Sequence, residues 1–134
     1  MPGWKVLVVD DDPDIRRIAV LALGRVGGLE AKGVTCAEEA LAAIAGERPD
    51  LVLLDVSMPG ADGPSVLASI RALPAGRDIP VVFFTAASSE AETARLRSLG
   101  AVAVISKPFE MVDFTRRVQA LASEGAAPRG AGSP

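Results

Sequence analysis

The chain has 134 residues, 49% of them apolar and 23% charged, with a formal net charge of −3 and a sequence pI near 4.9. That balance fits one compact globular domain and excludes a disordered or fibrous chain, while the acidity argues against direct nucleic-acid binding. A single cysteine, Cys36, excludes an internal disulfide and a multi-cysteine metal site, and there is no histidine.

The first element is the run VLVV at 6–9, apolar on both sides of its alternation and so the mark of a strand covered on both faces. It ends in three consecutive carboxylates, Asp10, Asp11 and Asp12, followed by Pro13. Adjacent acids at the mouth of a buried strand repel one another, so the cluster requires a cation or a set of hydrogen-bond donors. Asp12 before Pro13 reads as an N-cap with proline at the first helical position. Ile15, Ile18, Ala19, Ala22 and Val26 then recur at helical spacing. A weaker strand is expected near Leu29–Val34. Next comes a helix carrying Ala37, Ala40, Leu41 and Ile44, with Thr35 and Glu38 at the spacing of a capping box.

The second apolar run, LVLL at 51–54, ends in Asp55, and the loop that follows holds Pro59 and Gly63, residues suited to a tight turn, before Pro64 opens a third helix through Val66, Leu67 and Ile70. The third run, VVFF at 81–84, ends in Thr85 and Ala86. The segment SEAETARLRSL at 89–99 has few large apolar residues and predicts the most exposed helix. The last run, VAVI at 102–105, leads into Ser106, Lys107 and Pro108, and a final helix carries Met111, Phe114, Val118 and Leu121. Gly27 or Gly28, Gly46 and Gly100 stand where helices should stop. From Gly125 onward the chain is mostly alanine, glycine, proline and serine, so one domain over 1–123 and a disordered tail over 124–134 are expected.

Five alternations of strand and helix predict an α/β three-layer sandwich with a parallel sheet, whose chemistry lies at the carboxyl ends of the strands. Asp10–Asp12, Asp55, Thr85 and Lys107 all stand at such ends. Each alone has a plainer reading: a solvated turn, a helix cap, a satisfied strand hydroxyl, a surface lysine. Together they make a set in which acids suit a hard divalent cation such as Mg²⁺, while a hydroxyl and an ammonium complete a cradle for a phosphoryl group.

VLVVDDDPDIR, LVLLDVSMPGADG, VVFFTA and SKPF, in that order, resemble the receiver domain of bacterial two-component response regulators over about residues 4–123. The resemblance implies a flavodoxin-like, CheY-like sheet of order 2-1-3-4-5 with five helices. It implies Asp55 as phosphoacceptor, and Mg²⁺, with Mn²⁺ as a substitute, held by Asp10, Asp11, Asp55 and the backbone carbonyl of Ser57. Thr85 and Lys107 would contact the phosphoryl oxygens, with a cis peptide between Lys107 and Pro108. The expected partners are a sensor histidine kinase or histidine phosphotransfer protein as donor, and a downstream protein or output domain. The chain would be a stand-alone receiver or a piece excised from a longer regulator, a signalling domain and not an enzyme. Two features depart from many relatives: Val104 stands where they carry an aromatic switch residue, and AVAV at 101–104 has no acidic residue.

Two other readings fit parts of the sequence. Asp10 and Asp12 satisfy the DxD pattern of a haloacid-dehalogenase-type phosphohydrolase, although SKPFE lacks that class's later acidic motif. A phosphorylation-independent interaction module on the same fold would not need the intact acid, threonine and lysine set. No apolar run reaches the length of a membrane span, so neither insertion nor a signal segment is expected and the cytoplasm is the expected location.

Overall fold

A computed structural model of the chain describes residues 4–58, 60–86, 89–107 and 110–130. Among them, five parallel strands form one sheet: β1 (Lys5–Val9), β2 (Glu30–Val34), β3 (Leu51–Asp55), β4 (Val81–Thr85) and β5 (Ala103–Ser106). Their order is β2-β1-β3-β4-β5, the flavodoxin-like, CheY-like arrangement. The helices are α1 (Pro13–Leu21), α2 (Ala37–Gly46), α3 (Gly63–Ala72), α4 (Glu90–Ser98) and α5 (Met111–Gly130).

The continuous apolar runs are explained by burial on both faces. Leu7, Val9, Val52, Leu54, Val81 and Phe83 pack with Ile44, Leu67, Ile70 and Leu96 on the side of α2, α3 and α4. Val6, Val8, Leu51, Leu53, Val82 and Phe84 pack with Ala19, Leu23, Phe114 and Val118 on the side of α1 and α5. Strand alternation thus sends Phe83 and Phe84 to opposite layers. Leu96 is the one buried residue of α4, in keeping with its polar sequence. No helix among the described residues is long and apolar enough to cross a membrane.

Several local expectations shift. Asp12 does cap α1, accepting from the amides of Asp14 and Ile15. The helix then passes into a π-turn over Ala22–Val26. The wider turn rotates the stripe by about one residue, so Leu23 is buried while Val26 is exposed; Ile18, ahead of the turn, is exposed as well. At α2 the N-cap is Cys36, without a side-chain cap bond, and it is Glu39, not Glu38, that accepts from the Thr35 amide and hydroxyl. Gly28 and Gly100 take positive φ as helix-ending glycines do; Gly46 instead closes α2 with ordinary helical geometry. Met111 is exposed, whereas Phe114 and Val118 carry the packing of α5. The backbone of α5 is helical to Gly130, past the expected boundary at 123. Pro59, the peptide to Pro108 and residues 131–134 of the expected tail lie outside the described residues.

Candidate functional site

The sheet register gathers the strand ends on one edge. Val9 pairs with Leu54, Asp55 with Phe84 and Thr85 with Ser106, so Asp10, Asp55, Thr85 and Lys107 follow or close neighbouring strands. Asp10 is fully buried, and Asp55 and Thr85 are 5% and 7% exposed.

Buried carboxylates need partners. The Asp10 Oδ1 atom accepts the Asp12 amide at 2.9 Å, and its Oδ2 accepts the Lys107 ammonium at 2.8 Å. The same Lys107 Nζ lies 3.3 Å from Asp55 Oδ1, so one cation bridges the ends of β1 and β3. Burial pulls the Lys107 pKa down, but the hydrogen bond with Asp10 and the charges of Asp10 and Asp55 outweigh it and leave it above the ordinary lysine value. The lysine is therefore charged throughout the neutral range. Because the folded value is raised, the stabilisation from this contact is complete below the ordinary lysine pKa and is lost as pH climbs through the folded one.

Oxygens of Asp10, Asp11 and Asp55 lie within 4.8 Å of one another, with Asp11 exposed at the rim. Three hard oxygen donors crowded against one ammonium fit a divalent cation of the Mg²⁺ class, whose charge would relieve the repulsion among them. Ser57 contributes backbone in a two-residue antiparallel ladder, Ser57 opposite Asp62, which follows directly from β3. Asp12 does not join this set. Its carboxylate accepts the first amides of α1, so the second acid of a DxD pair serves as a helix cap outside the acid cluster.

Supporting residues that the sequence does not advertise hold this edge in shape. Arg16 donates to the Asp10 carbonyl at 2.9 Å, and a Cβ at Gly33 would come within 2.7 Å of the Arg16 side chain. The Gly63 amide donates to the Val56 carbonyl at 2.7 Å, and a Cβ there would stand 2.9 Å from Val56 Cα and 3.1 Å from the Asp55 carbonyl oxygen. Asp62 caps α3 by accepting from the Ser65 amide, closing the loop after Asp55. Lys107 also lies over the Phe84 ring, 5.1 Å from its centroid. Gly63 was legible as a tight-turn residue, but its close approach to β3 was not, and neither Gly33 nor Phe84 could be assigned a role, because their surroundings depend on register and on elements distant in sequence.

The site and fold meet a defined family. The model for the response regulator receiver domain matches residues 6–119, and the chain belongs to that family. It is 38% identical over 118 residues to the transcriptional regulatory protein PrrA of Mycobacterium tuberculosis, a match covering 87% of this chain and 49% of PrrA. The chain thus spans about half the length of the first curated relatives it matches. An uncharacterized 14.6 kDa protein of Leptolyngbya boryana is 37% identical over 85% of this chain and 86% of its own length. Among solved structures, the chemotaxis response regulator CheY4 of Vibrio cholerae superposes with a TM-score of 0.81 at 26% identity, covering 90% of this chain and 99% of that one. The protein is a receiver domain of the two-component type, and the phosphohydrolase reading is not favoured.

Proposed function

We propose that this receiver accepts a phosphoryl group from the phosphohistidine of a sensor kinase or phosphotransfer protein onto Asp55. The observation that supports it most is the half-buried ammonium of Lys107 shared between Asp10 and Asp55 beside a third acid. A carboxylate oxygen of Asp55 attacks phosphorus, the O–P bond forms as the N–P bond breaks, and the electron pair returns to the donor imidazole, which takes up a proton. Lys107 offsets charge on the equatorial oxygens, and the Thr85 hydroxyl donates to one of them. Asp10, Asp11, Asp55 and the Ser57 carbonyl would hold Mg²⁺, or Mn²⁺ in its place, which when bound neutralises the same developing charge. The functional domain would be residues 1–123, working in the cytoplasm and passing the signal to a downstream protein or output domain. The test is incubation with a labelled phosphohistidine donor and Mg²⁺. One label per chain, at Asp55 and released by hydroxylamine as an acyl phosphate, is expected; label at a serine or threonine, or none, would overturn the assignment.

Asp11→Ala should weaken Mg²⁺ binding by about tenfold or more, since losing a direct ligand costs at least what losing an outer-shell partner does. Titration calorimetry reads it. Trp4 precedes β1 at the far end of the strand, about 20 Å from the acids at 3.3 Å per residue, so its fluorescence should stay constant during the titration.

The route by which the signal leaves follows from Val104. Its side chain is half-buried against the α2–α4 layer, and a β-branched valine lacks both the length and the χ1 freedom of an aromatic switch. We infer that Thr85 passes its movement to the following loop and to α4, which Leu96 alone anchors. Backbone NMR shifts on adding beryllofluoride should concentrate at residues 84–95. Equal shifts at 102–106 and 111–118 would make Val104 a working switch and refute this.

A further inference from the structure

We propose that Phe84 is a positioning residue for the phosphoryl-transfer chemistry, its aromatic face seating the Lys107 ammonium between Asp10 and Asp55. The inference rests on the reading of Lys107 given above. Phe84 is the register partner of Asp55, one residue before Thr85, and is 1% exposed. Lys107 Nζ stands 5.1 Å from its ring centroid, within the range of a cation–π contact. Phe114 of α5 stacks against the same ring at 5.6 Å between centroids and 19° between planes, which holds the ring's tilt.

The geometry separates this role from packing. A leucine would fill much of the same apolar space, yet it offers no negative face to a cation. Lys107 is drawn towards the two carboxylates, 2.8 Å and 3.3 Å away. Those attractions change whenever Asp10 or Asp55 takes another partner, whether a metal ion or a phosphoryl group. The ring is uncharged and takes no such partner, so its pull on the ammonium persists while the carboxylates are recruited elsewhere. Phe83, its neighbour, faces the opposite layer and serves as an internal control.

The experiment replaces Phe84 with phenylalanines bearing one, two and three ring fluorines, which drain the ring's negative face at nearly constant shape, and repeats the series at Phe83. Wild type is expected to bind beryllofluoride with Mg²⁺. Across the Phe84 series the affinity should fall in steps to a total loss of about 2- to 30-fold, the span of a partly desolvated cation–π contact, while the Phe83 series stays level. Phe84→Leu should match the most fluorinated ring. In the metal-free protein the ε-methylene protons of Lys107 should show an upfield ring-current shift that Phe84→Leu removes. An affinity independent of fluorination at Phe84, or no ring-current shift, overturns the proposal with the phosphoacceptor reading intact. A wild type that takes up no beryllofluoride overturns both.

Discussion

Asp55→Asn is expected to abolish phosphoryl acceptance while leaving the fold intact. An amide nitrogen is no substitute for a carboxylate nucleophile, so labelling from a phosphohistidine donor should drop to background. Stability should move the other way. Asp55 lies in a cluster of three acids offset by one lysine, and neutralising it removes repulsion with Asp10 and Asp11 at the cost of its 3.3 Å contact with Lys107, which keeps Asp10 at 2.8 Å. In the absence of Mg²⁺ the variant should melt at or above the wild-type temperature, and Mg²⁺ should stabilise it less. Labelling equal to wild type, or a variant too unstable to fold, would show that Asp55 does not have this place in the site.

Gly63→Ala should be the most damaging single methyl group near the site. At the first turn of α3, alanine would ordinarily be favoured over glycine by about 1 kcal/mol of helix propensity. Here the added carbon would meet the buried Phe83 ring at 2.8 Å, Val56 Cα at 2.9 Å and the Asp55 carbonyl oxygen at 3.1 Å. Two of those are backbone atoms, which cannot swing aside, so strain outweighs propensity. Overpacking of this kind costs about 1–3 kcal/mol, which for a domain of this size lowers the melting temperature by roughly 3–15 °C. The strand end carrying Asp55 must also move, and displacements of about 1 Å at a reacting group can cost ~100-fold in rate. Phosphorylation should therefore slow well beyond what the lost stability explains. A variant that melts and labels like wild type would mean that α3 shifts freely away from β3.

Much of this was legible because the fold writes its layers into composition. Four strands are apolar on both faces, and each leads into a residue of the candidate site, so Asp10, Asp55, Thr85 and Lys107 could be placed on one edge from the sequence. The edge strand β2 was fainter, since EAKGV mixes charges and a glycine at positions covered on one side only. What stayed hidden depends on rotation about an axis. The π-turn after Leu21 changes which of Leu23 and Val26 faces the sheet, and no periodicity fixed in advance contains that choice. Whether Phe83 or Phe84 lies under the lysine is likewise set by register, and the supports at Arg16 and Gly33 arise from contacts between elements distant in sequence.

The sheet order also governs when the molecule can fold. β1 lies between β2 and β3, both parallel to it, and its partner on the inner side of the sheet is the strand that pairs Leu7 with Val52. During synthesis at about 5–20 residues per second, the VLVV segment leaves the ribosome roughly 2–9 s before that partner exists. Until then β1 has only the charged β2 to pair with, and one of its edges stays open. The nascent chain must therefore carry an open apolar strand edge while the 45 residues from Leu7 to Val52 are added, which makes this order of strands a demand on chaperone binding at β1.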